Sequence, residues 1–152
     1  MACGNGSLLA ALNKKTKINC YGIDIAEKMI ENAIIKNPSM EFHTADCEAI
    51  PFENETMDII TVCAAYHHFP DVAAFAAEAK RLLKSNGMLY IADVYLPAFW
   101  RILLNPLVPL SKAGDVRFYS PKEIVKNFEQ FGFISTDIKI SGNIQIICMQ
   151  KQ

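Results

Sequence analysis

Strand-type and helix-type apolar segments take turns along this chain, and that alternation limits the fold more than any single motif. "KINCYGID" (17–24), "MEFHTA" (40–45), "MDIITVCAA" (57–65) and "MLYIADV" (88–94) read as strands. The third is continuously apolar, as expected when both sheet faces are covered. Between the strands lie segments with helical spacing. Ser7 to Lys14 offers Leu8, Leu9, Ala11 and Leu12. Ala26 to Lys36 offers Ala26, Met29, Ile30, Ala33 and Ile34. A third helix places Val72, Phe75, Ala76, Ala79, Leu82 and Leu83 on one face. Strand–helix alternation implies right-handed crossovers and a doubly wound, mostly parallel α/β sheet.

Local signals punctuate the pattern. Asp71 is placed to cap the third helix. Asn86-Gly87 predicts a turn. In "SPKE" (120–123), Ser120 can cap, Pro121 suits the first helical position and Glu123 completes a capping box. That helix is expected to reach Phe131, with Gly132 ending it. "FISTDIKI" (133–140) and "NIQIICM" (143–149), joined at Ser141-Gly142, predict a closing antiparallel hairpin. With 152 residues and no repeat or long linker, the expectation is one domain over 1–152, with 95–119 as an insertion.

Charge excludes some functions. The formal net charge is -1, so there is no basic surplus to bind nucleic acid. No apolar run is long enough for a membrane span, and no basic leader precedes an apolar core at the start. Cys3, Cys20, Cys47, Cys63 and Cys148 are scattered, with no C-x-x-C pair and no His at zinc spacing. They read as core thiols of a reducing cytoplasm, and no metal site is expected.

In such sheets ligands bind at the carboxyl ends of strands, and four segments there carry polar or flexible residues. Gly4-Asn5-Gly6 precedes a helix whose free N–H groups could meet an anion. Asp24 ends "CYGID" about 20 residues after that loop, the spacing of a ribose-binding acid. Asp46-Cys47 follows "EFHTA", where an acid can accept from an exocyclic amine. "AAYHHF" (64–69) places Tyr66, His67 and His68 at the mouth of a site.

In this order, with "ADCEAIPFENETMDII" and "RLLKSNGMLYIAD", the chain resembles the class I S-adenosylmethionine-dependent methyltransferases. It is most similar to the small-molecule branch of ubiquinone/menaquinone-biosynthesis type. The resemblance implies a Rossmann-like fold, S-adenosylmethionine as cofactor and a small-molecule acceptor, with a homodimer as a further expectation. It implies that Gly4 and Gly6 lie against the methionine part, Asp24 holds the ribose, and Asp46 takes the adenine amine. The Cys47 N–H would reach the ring, Ile25 and Met29 would pack on its face, and Ala64 would offer a carbonyl near the sulfonium or amino group. His67 and His68 are the candidate bases, and Tyr66 could present its ring to the sulfonium. The bulk of 95–119 would shape the acceptor pocket, form a lid or dimer face or touch a membrane; Arg101 and Arg117 are candidates for an acidic substrate group. Two other classes share these features: a nicotinamide-dependent oxidoreductase, disfavoured by Leu9 where a third glycine is usual, and a non-catalytic binding module.

The chain departs from the family pattern at its start. An acidic residue and an apolar strand normally precede the glycine loop, Ala2 stands where a glycine is usual, and Ala26 replaces a frequent capping Ser. That strand would lie between those ending at Asp24 and Ala65. The expectation is therefore a piece of a longer protein, a strand supplied by rearrangement or a partner, or a non-catalytic remnant.

Overall fold

The computed structural model describes residues 1–110 and 114–152. The chain divides into two compact units, Met1–Pro51 and Phe52–Gln152.

In the first unit, helix α1 (Ser7–Lys15) leads to strand β1 (Tyr21–Asp24), helix α2 (Glu27–Lys36) and strand β2 (Glu41–Thr44). β1 and β2 run parallel, from Tyr21↔Glu41 to Asp24↔Thr44. Their core is small: Ile30, Ala33 and Phe42, with Cys3, Leu9 and Met40 packed around them. The expected helix faces are only partly used. α1 buries no residue completely, and on α2 only Ile30 and Ala33 are buried, while Met29 and Ile34 stay exposed. A two-stranded sheet is too narrow to cover a full helical stripe. Two glycines make this packing possible. A Cβ on Gly22 would lie 2.2 Å from Phe42 Cδ1, and one on Gly6, at φ +75°, would lie 2.9 Å from Phe42 Cζ. The Phe42 ring occupies the space both leave.

In the second unit the order is β3 (Met57–Cys63), a 3-10 turn (Tyr66–His68), α3 (Val72–Leu82), β4 (Leu83–Val94), α4 (Ala98–Leu104), a second 3-10 segment (Asn105–Leu110), α5 (Pro121–Glu129), β5 (Phe133–Ser141) and β6 (Ile144–Lys151). The sheet order is β3-β4-β6-β5, with β3 parallel to β4 and the hairpin antiparallel. The hairpin turns at Gly142-Asn143, one residue later than expected, because Ser141 still pairs with Ile144. β4 begins at Leu83 and runs through Asn86-Gly87; the turn signal shows as a left-handed Asn86 opposite a register shift in β3. The capping predictions hold. Asp71 accepts from the N–H groups of Ala73 and Ala74, both at 2.9 Å, and Ser120 with Glu123 forms the capping box.

The core of this unit is aromatic. Tyr66, Phe75 and Phe128 are fully buried and meet mostly edge to face, with Phe69, Tyr119 and Phe133 beside them. β3 is buried on one face only. Ile60 and Val62 point into the core, whereas Ile59 is 58% exposed and Cys63 is exposed. The continuous apolar run therefore overstated its burial: α3 and α5 pack against one face. β1 pairs only with β2 and β3 only with β4 among the described residues, so the two units carry separate sheets.

Candidate functional site

In the first unit the motif residues gather where β1 and β2 end. Asp24 is the last residue of β1, its ladder partner Thr44 ends β2, and Asp46 follows two residues on. The Asp24 carbonyl accepts from Ala45 N–H at 3.1 Å, tying the two strand ends together. Asp24 also organises the glycine loop. Its Oδ2 accepts from Gly4 N–H at 2.8 Å and its Oδ1 from Ala26 N–H at 2.9 Å. A carboxylate has about four acceptor directions, so each oxygen keeps capacity for one more donor. That spare capacity fits a ribose diol.

Gly4 and Gly6 have different roles. Gly6 is buried beneath Phe42, so the fold itself needs its missing side chain. Gly4, at φ +53°, has nothing within 4 Å of where a Cβ would stand, which leaves its backbone open to a ligand. Ile25 is 71% exposed beside Asp24, and Met29 is exposed one turn into α2; both are free to cover a flat ring. Asp46 is exposed, with Oδ1 accepting from Glu48 N–H at 3.0 Å. Cys47 is half-buried, and burial together with the Asp46 carboxylate pushes its thiol up to about 12. The thiol is therefore held in its protonated form. Two surface depressions lie elsewhere, one around Asn54, Lys80 and Arg81, the other around Asn13, Tyr21 and Glu41; neither is lined by the motif residues.

In the second unit Ala64 takes a left-handed conformation, φ 51°, just past β3, and its N–H donates to Ala92 O at 2.8 Å. Strain at a non-glycine residue is common at functional sites. Tyr66 does not sit at a mouth. It is fully buried in the aromatic core, and its hydroxyl accepts from Asn127 Nδ2 at 3.1 Å. His67 is almost as buried. Its Nδ1 lies 2.6 Å from Oδ1 of Asp93, a 3%-exposed residue near the end of β4. The Asp93 hydrogen bond raises the His67 pKa above its ordinary value, and burial opposes that rise. The His67 carbonyl accepts from Val116 N–H at 2.8 Å and Arg117 N–H at 3.2 Å, so the turn is held against the irregular segment that leads into α5. His68 is partly exposed, with Nδ1 3.0 Å from Gly114 O.

The sequence reading missed Asp93 and Asp115. Asp93 could have been found, because β4 is a parallel strand beside β3 and its end obeys the same strand-end rule. Asp115 carries no local signal and meets the histidines only through the fold. Arg101 and Arg117 both face Glu123, at 3.5 Å and 2.6 Å, so an acidic substrate group would compete with that carboxylate for them. Phe99, Trp100, Leu103, Leu107 and Leu110 are exposed rather than lining an enclosed pocket. The part of the insertion at 111–113 lies outside the described residues.

Residues 1–91, which contain the glycine loop, Asp24, Asp46-Cys47 and the His67-His68 turn, match the family described as methyltransferase domain. The chain belongs to that family. A demethylmenaquinone methyltransferase of Chlorobaculum parvum is 30% identical over 97 residues, 64% of this chain and 40% of the relative. A demethylmenaquinone methyltransferase of Thermotoga maritima is 26% identical over 155 residues, covering 88% of this chain and 68% of the relative. The crystal structure of the YcgJ protein from Bacillus subtilis superposes with a TM-score of 0.83 at 20% identity, over 99% of this chain and 89% of that one. The methyltransferase domain thus has the expected Rossmann-like α/β fold. The match to the first of these relatives spans 40% of that relative's length.

Proposed function

We propose that this methyltransferase domain binds S-adenosylmethionine and serves methyl transfer to a small-molecule acceptor. One observation carries the reading: Asp24 and Asp46 stand at the ends of adjacent parallel strands, with the open backbone of Gly4 hydrogen-bonded to Asp24. This suits a nucleoside, its ribose on Asp24, its adenine amine on Asp46, its ring against Ile25 and the Cys47 backbone, and its amino-acid end beside Gly4. The cofactor supplies a methyl group already activated on a sulfonium. The protein's part is to orient the acceptor, exclude water and, for an O–H or C–H acceptor, take up a proton. His67 and His68 are the groups in the second unit suited to that proton, and Asp93 fixes which nitrogen of His67 faces outward.

The relatives' names, which specify demethylmenaquinone, support a quinone-type acceptor. No helix among the described residues is long and apolar enough to cross a membrane, and the five cysteines are free, which supports a reducing, cytoplasmic setting. Calorimetric titration with S-adenosylhomocysteine tests the cofactor assignment. Saturable binding is expected, weakened at least tenfold in Asp24→Ala. Because Asp24 also holds the glycine loop, Asp24→Asn, which keeps an acceptor oxygen, is the second variant. No binding by the wild-type protein, or equal affinity in both variants, would remove the assignment.

A further inference from the structure

The His67 turn brings together more donors than proton transfer needs. With its Nδ1 proton directed at Asp93, neutral His67 presents the Nε2 lone pair outward. Oδ1 of Asp115 faces that nitrogen at 3.5 Å, and the same oxygen is 3.3 Å from Nδ1 of His68. Both separations are longer than a good hydrogen bond, so the Asp115 carboxylate and the two imidazoles leave room for a cation between them. Zinc bonds to imidazole nitrogen and carboxylate oxygen are about 2.0–2.2 Å long, so two tetrahedral ligands stand about 3.3–3.5 Å apart. The two measured separations have that size. One ligand atom from each of His67, His68 and Asp115 lies within 4.8 Å of the others. We propose that His67 Nε2, His68 and Asp115 bind a divalent transition-metal cation of the zinc class, with Asp93 as the buried carboxylate that orients His67.

The surroundings match such a site. Metal-bound histidines usually pass their other N–H to a carboxylate or carbonyl, which fixes the ring and strengthens the ligand. Asp93 does this from the sheet, while Phe118 stacks on the His67 ring with centroids 5.8 Å apart. Two imidazoles and one carboxylate suit zinc, iron or cobalt better than magnesium or calcium. His68 side-chain exposure of 41% leaves that side open, so further coordination positions face solvent. His68 Nδ1 donates to the Gly114 carbonyl at 3.0 Å in the free protein; ligation through Nδ1 moves that proton to Nε2, a tautomer the exposure of His68 permits, and replaces the carbonyl by the ion. The site rests on these donors alone.

Titration of the metal-free protein with Zn2+, and with Co2+ followed by visible absorption, tests the site. The expected result is one saturable equivalent and the d–d bands of a low-coordinate cobalt. Affinity should fall at least tenfold in Asp115→Asn and in His68→Ala, with the melting temperature of the metal-free variants unchanged. Asp93→Asn should weaken binding about 10- to 100-fold. S-adenosylhomocysteine affinity of the metal-free protein is read in parallel, so loss of either reading is seen separately. No saturable zinc binding overturns the proposal. So does binding that survives both Asp115→Asn and His68→Ala, because it places the ion on the free cysteines.

Discussion

The two units solve the same folding problem with different resources. The second has an interlocked aromatic core, and two of its helices begin with side-chain caps at Asp71 and Ser120. The first has a small core of Ile30, Ala33 and Phe42, and its helices begin at Gly6 and Ala26 with no side-chain cap. Asp24 supplies part of what the caps do not, through Gly4 and Ala26 N–H. The difference teaches where stability was given up: the weakly capped helix starts and the open Gly4 backbone are the surfaces proposed to meet the cofactor. Such a unit gains stability when its ligand binds, by mass action.

The largest test of this contrast is in the aromatic core. Phe128→Ala should cost about 3–5 kcal/mol, read by urea denaturation; a loss under about 1 kcal/mol would mean the rings are not the unit's anchor. Gly22→Ala should cost about 1–3 kcal/mol through overpacking against Phe42, seen as lost amide protection in β1 and β2. Unchanged protection there would show that the small core can rearrange. Gly4→Ala separates the glycines: its Cβ meets no neighbour, so its stability cost should be only the left-handed backbone strain of about 1–2 kcal/mol, with affinity for S-adenosylhomocysteine falling as well, whereas Gly6→Ala adds a clash with Phe42 and should destabilise more. The smallest effect is at Ala26. Ala26→Ser restores a cap and should add up to about 1 kcal/mol, with no gain if Asp24 already satisfies that helix start.

The same contrast explains what the sequence revealed. Periodicity located nearly every element, because strand and helix spacing are local. Caps were legible at Asp71 and Ser120 because a cap bonds residues two or three positions away. Burial was less legible: Met29, Ile34 and Ile59 have apolar side chains at core-type positions, yet a narrow or one-sided sheet leaves them exposed. The site was readable where it follows strand ends, as at Asp24 and Asp46. Tyr66 was misplaced because its ring turns into a core built from α5 and β5, far along the chain. Asp115 could not be found at all, since nothing within the motif "AAYHHF" announces a carboxylate 47 residues after His68.

The central claim is that the two carboxylate-bearing strand ends of the first unit hold a nucleoside. The most direct measurement is a two-dimensional amide NMR titration of the labelled protein with S-adenosylhomocysteine. The account predicts the strongest shifts at Gly4, Ile25 and Cys47, with β5 and β6 unchanged. Shifts that bypass those three residues, or none at saturating ligand, would contradict it.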